Sequence, residues 1–100
     1  MEKIVEQNLA GIKQLMLYYG VERAYLFGSA ARNVMNDSSD IDFIIRFPEE
    51  MDYIQYSDNY FALADALESL LKTKVDLVTE KTLKNPYLIE NINRYKVQLI

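Results

Sequence analysis

The chain contains no cysteine and no histidine. That pair of absences removes disulfide scaffolds, Cys/His zinc sites, Ser-His-Asp triads and thiol nucleophiles together. Any acid, base or metal ligand must therefore be a carboxylate, supported by Lys, Arg, Ser, Thr or Tyr. Carboxylate-only sites favour hard cations, magnesium above all. Only three Gly and two Pro punctuate the 100 residues, so the structural elements follow one another closely, with no linker, repeat or low-complexity tract. No apolar run approaches the roughly 20 residues of a membrane span. The opening MEKIVEQ lacks the apolar core of a signal peptide, which makes the cytoplasm the expected compartment. Basic residues are scarce as well. Eleven Lys and Arg are spread along a chain of net charge −4, a poor match to a long polynucleotide but compatible with a metal-held nucleotide.

Half of the residues are apolar, an ordinary balance for one globular domain spanning 1–100. Val5, Leu9, Ile12 and Met16 step by four, three and four, which predicts a helix over about residues 3–18, closed by Gly20. A short strand over 21–27 then runs into Gly28-Ser29. Residues 29–33 read as a brief helical turn, with Ser29 near its cap, and Asn33–Ser39 as a loop. A second strand is expected over 41–47, stopped by Pro48. Tyr56, Tyr60, Leu63, Leu67 and Leu70 mark a long helix over about 52–71, and Lys74–Thr79 alternates as a third strand. Asn85-Pro86 opens a last helix to about Arg94, before a short edge strand over 97–100. This order describes an α/β domain with a small central sheet of about four strands flanked by helices.

Four features could carry chemistry. Asp40 and Asp42 flank Ile41, and side chains at i and i+2 of a strand project to the same side. Two carboxylates held that close repel unless a cation lies between them. Asp76 interrupts the apolar pattern of KVDLVT, and would converge on the other two if its strand pairs beside theirs. Such a trio suits one or two magnesium ions, as in-line phosphoryl displacement requires. Gly28 leaves a strand where backbone amides can approach a phosphate, Ser29 adds a hydroxyl, and Arg32 lies one turn along. Taken singly, each has an ordinary alternative: aspartates at a strand end meeting water, a common Gly-Ser turn, a surface arginine.

Jointly, Gly28-Ser29, ten intervening residues, Asp40-x-Asp42 and an aspartate in a later strand resemble the signature of the polymerase-β-like nucleotidyltransferases. GSAAR, SDIDFII and the closing VDLVTEKTLKNPYLIENINRYKVQLI are similar to its minimal nucleotidyltransferase branch, from about residue 21 to the end. The resemblance implies that Gly28 and Ser29 hold the β- and γ-phosphates of ATP, and that Arg32 neutralises phosphate charge. It implies that Asp40, Asp42 and Asp76 bind Mg2+, with Asp76 also placed to help deprotonate an acceptor hydroxyl. Asn33 departs from the glycine that many members carry after the arginine, and asparagine tolerates a left-handed turn better than most residues.

For this branch the implied partner is a HEPN-domain protein in an antitoxin–toxin pair. The implied reaction is AMP transfer from ATP to a tyrosine of that ribonuclease, which silences it. Eight tyrosines are compatible with a contact surface, in a homo- or hetero-oligomer; Tyr53, Tyr56 and Tyr60 equally fit packing at helical spacing. Three other readings stand beside this one: a contact-only antitoxin that has lost turnover, nucleotidyl transfer to a small molecule, and a nucleotide-sensing regulatory domain.

Overall fold

The computed structural model describes residues 2–28 and 40–100. The short helix expected over 29–33 and the loop that follows lie outside the described residues. The first helical stretch is two helices, α1 (Lys3–Gln7) and α2 (Leu9–Tyr18), rather than one. They meet at Asn8, whose backbone (φ −110°, ψ 12°) leaves helical geometry while its side-chain amide donates to the Ile4 carbonyl at 2.8 Å. Asparagine offers the backbone a local hydrogen bond that competes with the helix, so the apolar stripe continues across a break that hydrophobic spacing alone does not register. Gly20, at φ +84°, closes α2. The Gly20 and Val21 amides return to the Leu17 and Met16 carbonyls, satisfying the last turn.

Strands β1 (Arg23–Phe27), β2 (Ile41–Arg46), β3 (Val75–Thr79) and β4 (Val97–Gln98) form one mixed sheet in the order β3-β2-β1-β4. β1 pairs antiparallel with β2 and β4, whereas β2 and β3 run parallel. Helix α3 (Tyr53–Leu71) makes the crossover that a parallel pair requires. It starts at Asp52, which caps the Gln55 amide at 2.8 Å, and ends at Lys72 in the left-handed region. A 3-10 turn (Glu80–Thr82), which the sequence pattern did not announce, leads toward α4 (Pro86–Tyr95), capped by Asn85 as expected.

Period-two alternation gives the sheet two unlike faces. Ala24, Leu26, Ile41, Phe43, Ile45 and Leu77 point into the main core, against Ile12 and Met16 of α2 and Leu63, Leu67 and Leu71 of α3. On the opposite face Tyr25 and Ile44 join Ile89 and Ile92 of α4 around a small cavity, and the Lys96 ammonium lies 4.2 Å over the Tyr25 ring. Asp42 and Asp76 belong to this second face, near the starts of their strands. Among the described residues no helix is long and apolar enough to cross a membrane.

Candidate active site

The parallel register sets Asp42 directly opposite Asp76, and the antiparallel register sets Phe27, the last residue of β1, opposite Asp42. Three chain segments thus end at one point: Gly28 leaving β1, Asp40-Ile41-Asp42 entering β2, and Asp76 near the start of β3. Ile41 is fully buried and Phe43 likewise, so the strand is fixed in the core and the intervening Asp42 must face the other way.

The electrostatics of Asp42 follow from that placement. Its pKa is pushed up to about 6, first by burial, then by the negative charges of Asp76 and Asp40, and finally by a hydrogen bond with the Asp76 carboxyl. Asp42 is half-buried, while Asp40 and Asp76 are exposed. Among the described residues no three acidic side chains are already closed into a metal-ligating cluster. Asp42 and Asp76 form the tight pair, and Asp40 stands just outside the strand, close enough to act on Asp42 through space. The donor set is hard oxygen throughout. Accumulated like charge around a half-buried carboxylate is what a divalent cation would relieve, so these residues fit magnesium.

Gly28 is required here for a steric reason. Its φ is +69°, and a Cβ built on it would lie 2.3 Å from Asp42 Oδ2. Any side chain would strike the carboxylate as well as strain the backbone. Ser29 and Arg32, the other expected phosphate contacts, and Asn33 lie outside the described residues.

A groove of about 490 Å³ opens beside Asp76, lined by Tyr56, Ser57, Tyr60, Phe61, Asp76 and Thr82 among others. Tyr60 reaches the sheet as well as packing on it. Its hydroxyl donates to the Leu77 carbonyl, and burial, followed by the negative charge of Asp76 and then Tyr56, pushes the phenol pKa up. Glu68, about two turns further along α3, accepts from the Val75 amide at 3.0 Å. The sequence reading of Tyr60 as contact surface or helical packing does not extend to this bond, and Glu68 is unmarked, because a side chain bonding to a strand's backbone leaves no sequence pattern.

Comparison with known proteins identifies the family and the fold. A family model described as a nucleotidyltransferase domain matches residues 7–99. A relative in Methanocaldococcus jannaschii, assigned as a protein adenylyltransferase, is 43% identical over 74 residues, which are 74% of this chain and 71% of that protein. A crystal structure of a toxin–antitoxin with AMP-PNP superposes with a TM-score of 0.73 at 27% identity, covering 93% of this chain and 73% of that one. The structure of a tri-AMPylated Shewanella oneidensis HEPN toxin in complex with MNT antitoxin is similarly close, with a TM-score of 0.66 at 26% identity over 95% of this chain and 71% of that chain. With its glycine turn and paired aspartates on the fold those proteins share, the chain belongs to the minimal nucleotidyltransferase family and is an enzyme of the nucleotidyltransferase class.

Proposed function

We propose that this one-domain protein is a cytoplasmic antitoxin that transfers AMP from ATP to a tyrosine hydroxyl of a HEPN-domain toxin, with Mg2+ as cofactor. The observation that carries this reading is the Asp42–Asp76 pair on parallel strands, with Asp40 beside it and the side-chain-free Gly28 against it. The acceptor oxygen attacks the α-phosphorus of ATP. A new phosphorus–oxygen bond forms there, the bond to the bridging oxygen of the β-phosphate breaks, and pyrophosphate leaves. Bound magnesium would supply charge neutralisation at the α-phosphate and at the leaving oxygen.

The chain's own residues do the rest. Asp40, Asp42 and Asp76 would hold one or two ions, and Asp76, the one of the three that lines the groove, would accept the hydroxyl proton. Gly28 lets the backbone come close to the β- and γ-phosphates, with Ser29 and Arg32 as the further phosphate contacts. The groove beside Asp76 is the natural approach for an acceptor side chain, since its volume lies in the range of ordinary ligand sites and its wall is aromatic. Catalysis is then mainly positioning and electrostatic stabilisation. The toxin–antitoxin relatives, one with AMP-PNP and one with an AMPylated HEPN toxin, support the choice of nucleotide and acceptor.

The test is label transfer. The protein and Mg2+ are added to a lysate of source cells with ATP labelled at the α- or, separately, at the γ-phosphate. The Asp40→Asn/Asp42→Asn double variant runs beside it. One protein band labelled only from the α-position, and only by the intact aspartates, is the expected result. Absence of protein label from either nucleotide would contradict the proposal.

A further inference from the structure

Asp76 sits on an outer strand. Among the described residues β3 has β2 on one side and no strand on the other, so half of its peptide groups lack a ladder partner there. The Lys74 carbonyl accepts from the Ile41 amide across the β2–β3 pair. By alternation, the peptide groups of Lys74 and Asp76 face β2, while those of Val75 and Leu77 face outward. The two outward residues are the immediate neighbours of Asp76, and α3 holds both. Glu68 accepts from the Val75 amide, and the Tyr60 hydroxyl donates to the Leu77 carbonyl. Helix α3 is itself fixed in the core by Leu63, Leu67 and Leu71, all essentially fully buried. β3 is therefore gripped from a rigid element on either side of Asp76, on the flank where the sheet gives it no support.

We infer that Tyr60 and Glu68 are positioning residues that hold Asp76 opposite Asp42 for nucleotidyl transfer. The inference rests on the proposed function for its chemistry, though not for its geometry. A carboxylate that must share an ion with Asp42 and also face an acceptor tolerates little displacement, and a strand supported on one side only can shift outward or rotate. A merely structural role, blunting the sheet edge against another strand, would affect stability and leave Asp76 indifferent. The two roles are separable.

The experiment is a double-mutant cycle on binding of Mn2+ with α,β-methylene-ATP, a complex that cannot be turned over, measured by titration calorimetry. Tyr60→Phe, Glu68→Ala and Glu68→Gln are each made alone and in an Asp76→Asn background, with thermal melts to confirm folding. Tyr60→Phe and Glu68→Ala are expected to weaken binding about tenfold, and Glu68→Gln, which keeps an acceptor oxygen, to stay near wild type. In the Asp76→Asn background the same substitutions should change binding by less than about twofold, because the residue they act through is already disabled. In label transfer Glu68→Ala, which lies outside the acceptor groove, should lower kcat and leave the acceptor KM unchanged. Tyr60→Phe removes one oxygen atom and no packing, so it carries the test if Glu68→Ala does not fold. Equal effects with and without Asp76, or none in folded variants, would overturn the inference. Wild-type protein that transfers no AMP but gives the expected cycle would overturn the proposed function and leave the positioning role standing.

Discussion

Asp42 and Asp76 stand directly opposite each other on adjacent parallel strands, where the negative charge of Asp76 helps push the Asp42 pKa up. The fold holds them there through buried neighbours on both strands, Ile41 and Phe43 around Asp42 and Leu77 after Asp76. Core burial thus sustains a local repulsion, and the first predictions follow from its removal.

Replacing Asp42 by Asn should abolish transfer and stabilise the metal-free protein together. If Asp42 holds the metal as proposed, its loss removes several kcal/mol of transition-state stabilisation, on the order of a 10³-fold fall in kcat/KM. Relief of like-charge contact should raise the metal-free Tm by a few degrees. Parallel melts and transfer assays check both halves; a variant that is inactive and also less stable would mean that Asp42 supports the fold.

The raised Asp42 pKa predicts a pH dependence of defined sign. In the folded state the carboxyl titrates near 6, against an ordinary value of 3.8, so between these values the folded chain binds more protons than the unfolded one. This group's contribution to stability is therefore greatest below about pH 4 and is lost as the pH rises through about 6. Asp42 is only half-buried, so solvent screening keeps the effect small, a few degrees in Tm at most. The difference in Tm between wild type and Asp42→Asn, followed from pH 4.5 to 7.5 without metal, should widen with pH. Saturating Mg2+ should narrow it.

Gly28→Ala tests the close approach to Asp42. The added Cβ would meet Oδ2 at 2.3 Å and occupy a backbone at φ +69°. The strain should cost about 1–3 kcal/mol of stability, and displacement of the carboxylate should reduce transfer about 100-fold. Wild-type turnover in Gly28→Ala would show that the turn is not set against the carboxylate.

Lys72→Gly is the complementary change, away from the site. Lys72 ends α3 at φ 55°, where a side chain is disfavoured. Glycine should raise stability by about 1 kcal/mol and leave transfer unchanged, as chemical denaturation and label transfer would report.

Much of this arrangement is legible from residue order, and the remainder is not for physical reasons. Asn85-Pro86 implies a capped helix start, and that is observed; Asp40 and Asp42 at i and i+2 imply a common side, and Asp40, just before β2, lies close enough for its charge to act on Asp42. The convergence of Asp76 depends on β3 pairing with β2, a long-range choice that periodicity does not encode and that the family resemblance supplied. The break at Asn8 is silent because the apolar spacing around it is unbroken. The grip of Glu68 and Tyr60 on β3 is silent because the partners are backbone groups, which any residue provides. Ser29 and Arg32 rest on the motif alone.

The central claim, silencing of a HEPN toxin by covalent AMP transfer, is tested most directly by intact-mass measurement of that partner after incubation with this protein, ATP and Mg2+. The account predicts a mass increase in whole AMP steps with loss of ribonuclease activity, and neither change with the Asp40→Asn/Asp42→Asn variant. A toxin silenced at unchanged mass, equally well by that variant, would contradict it and establish inhibition by contact.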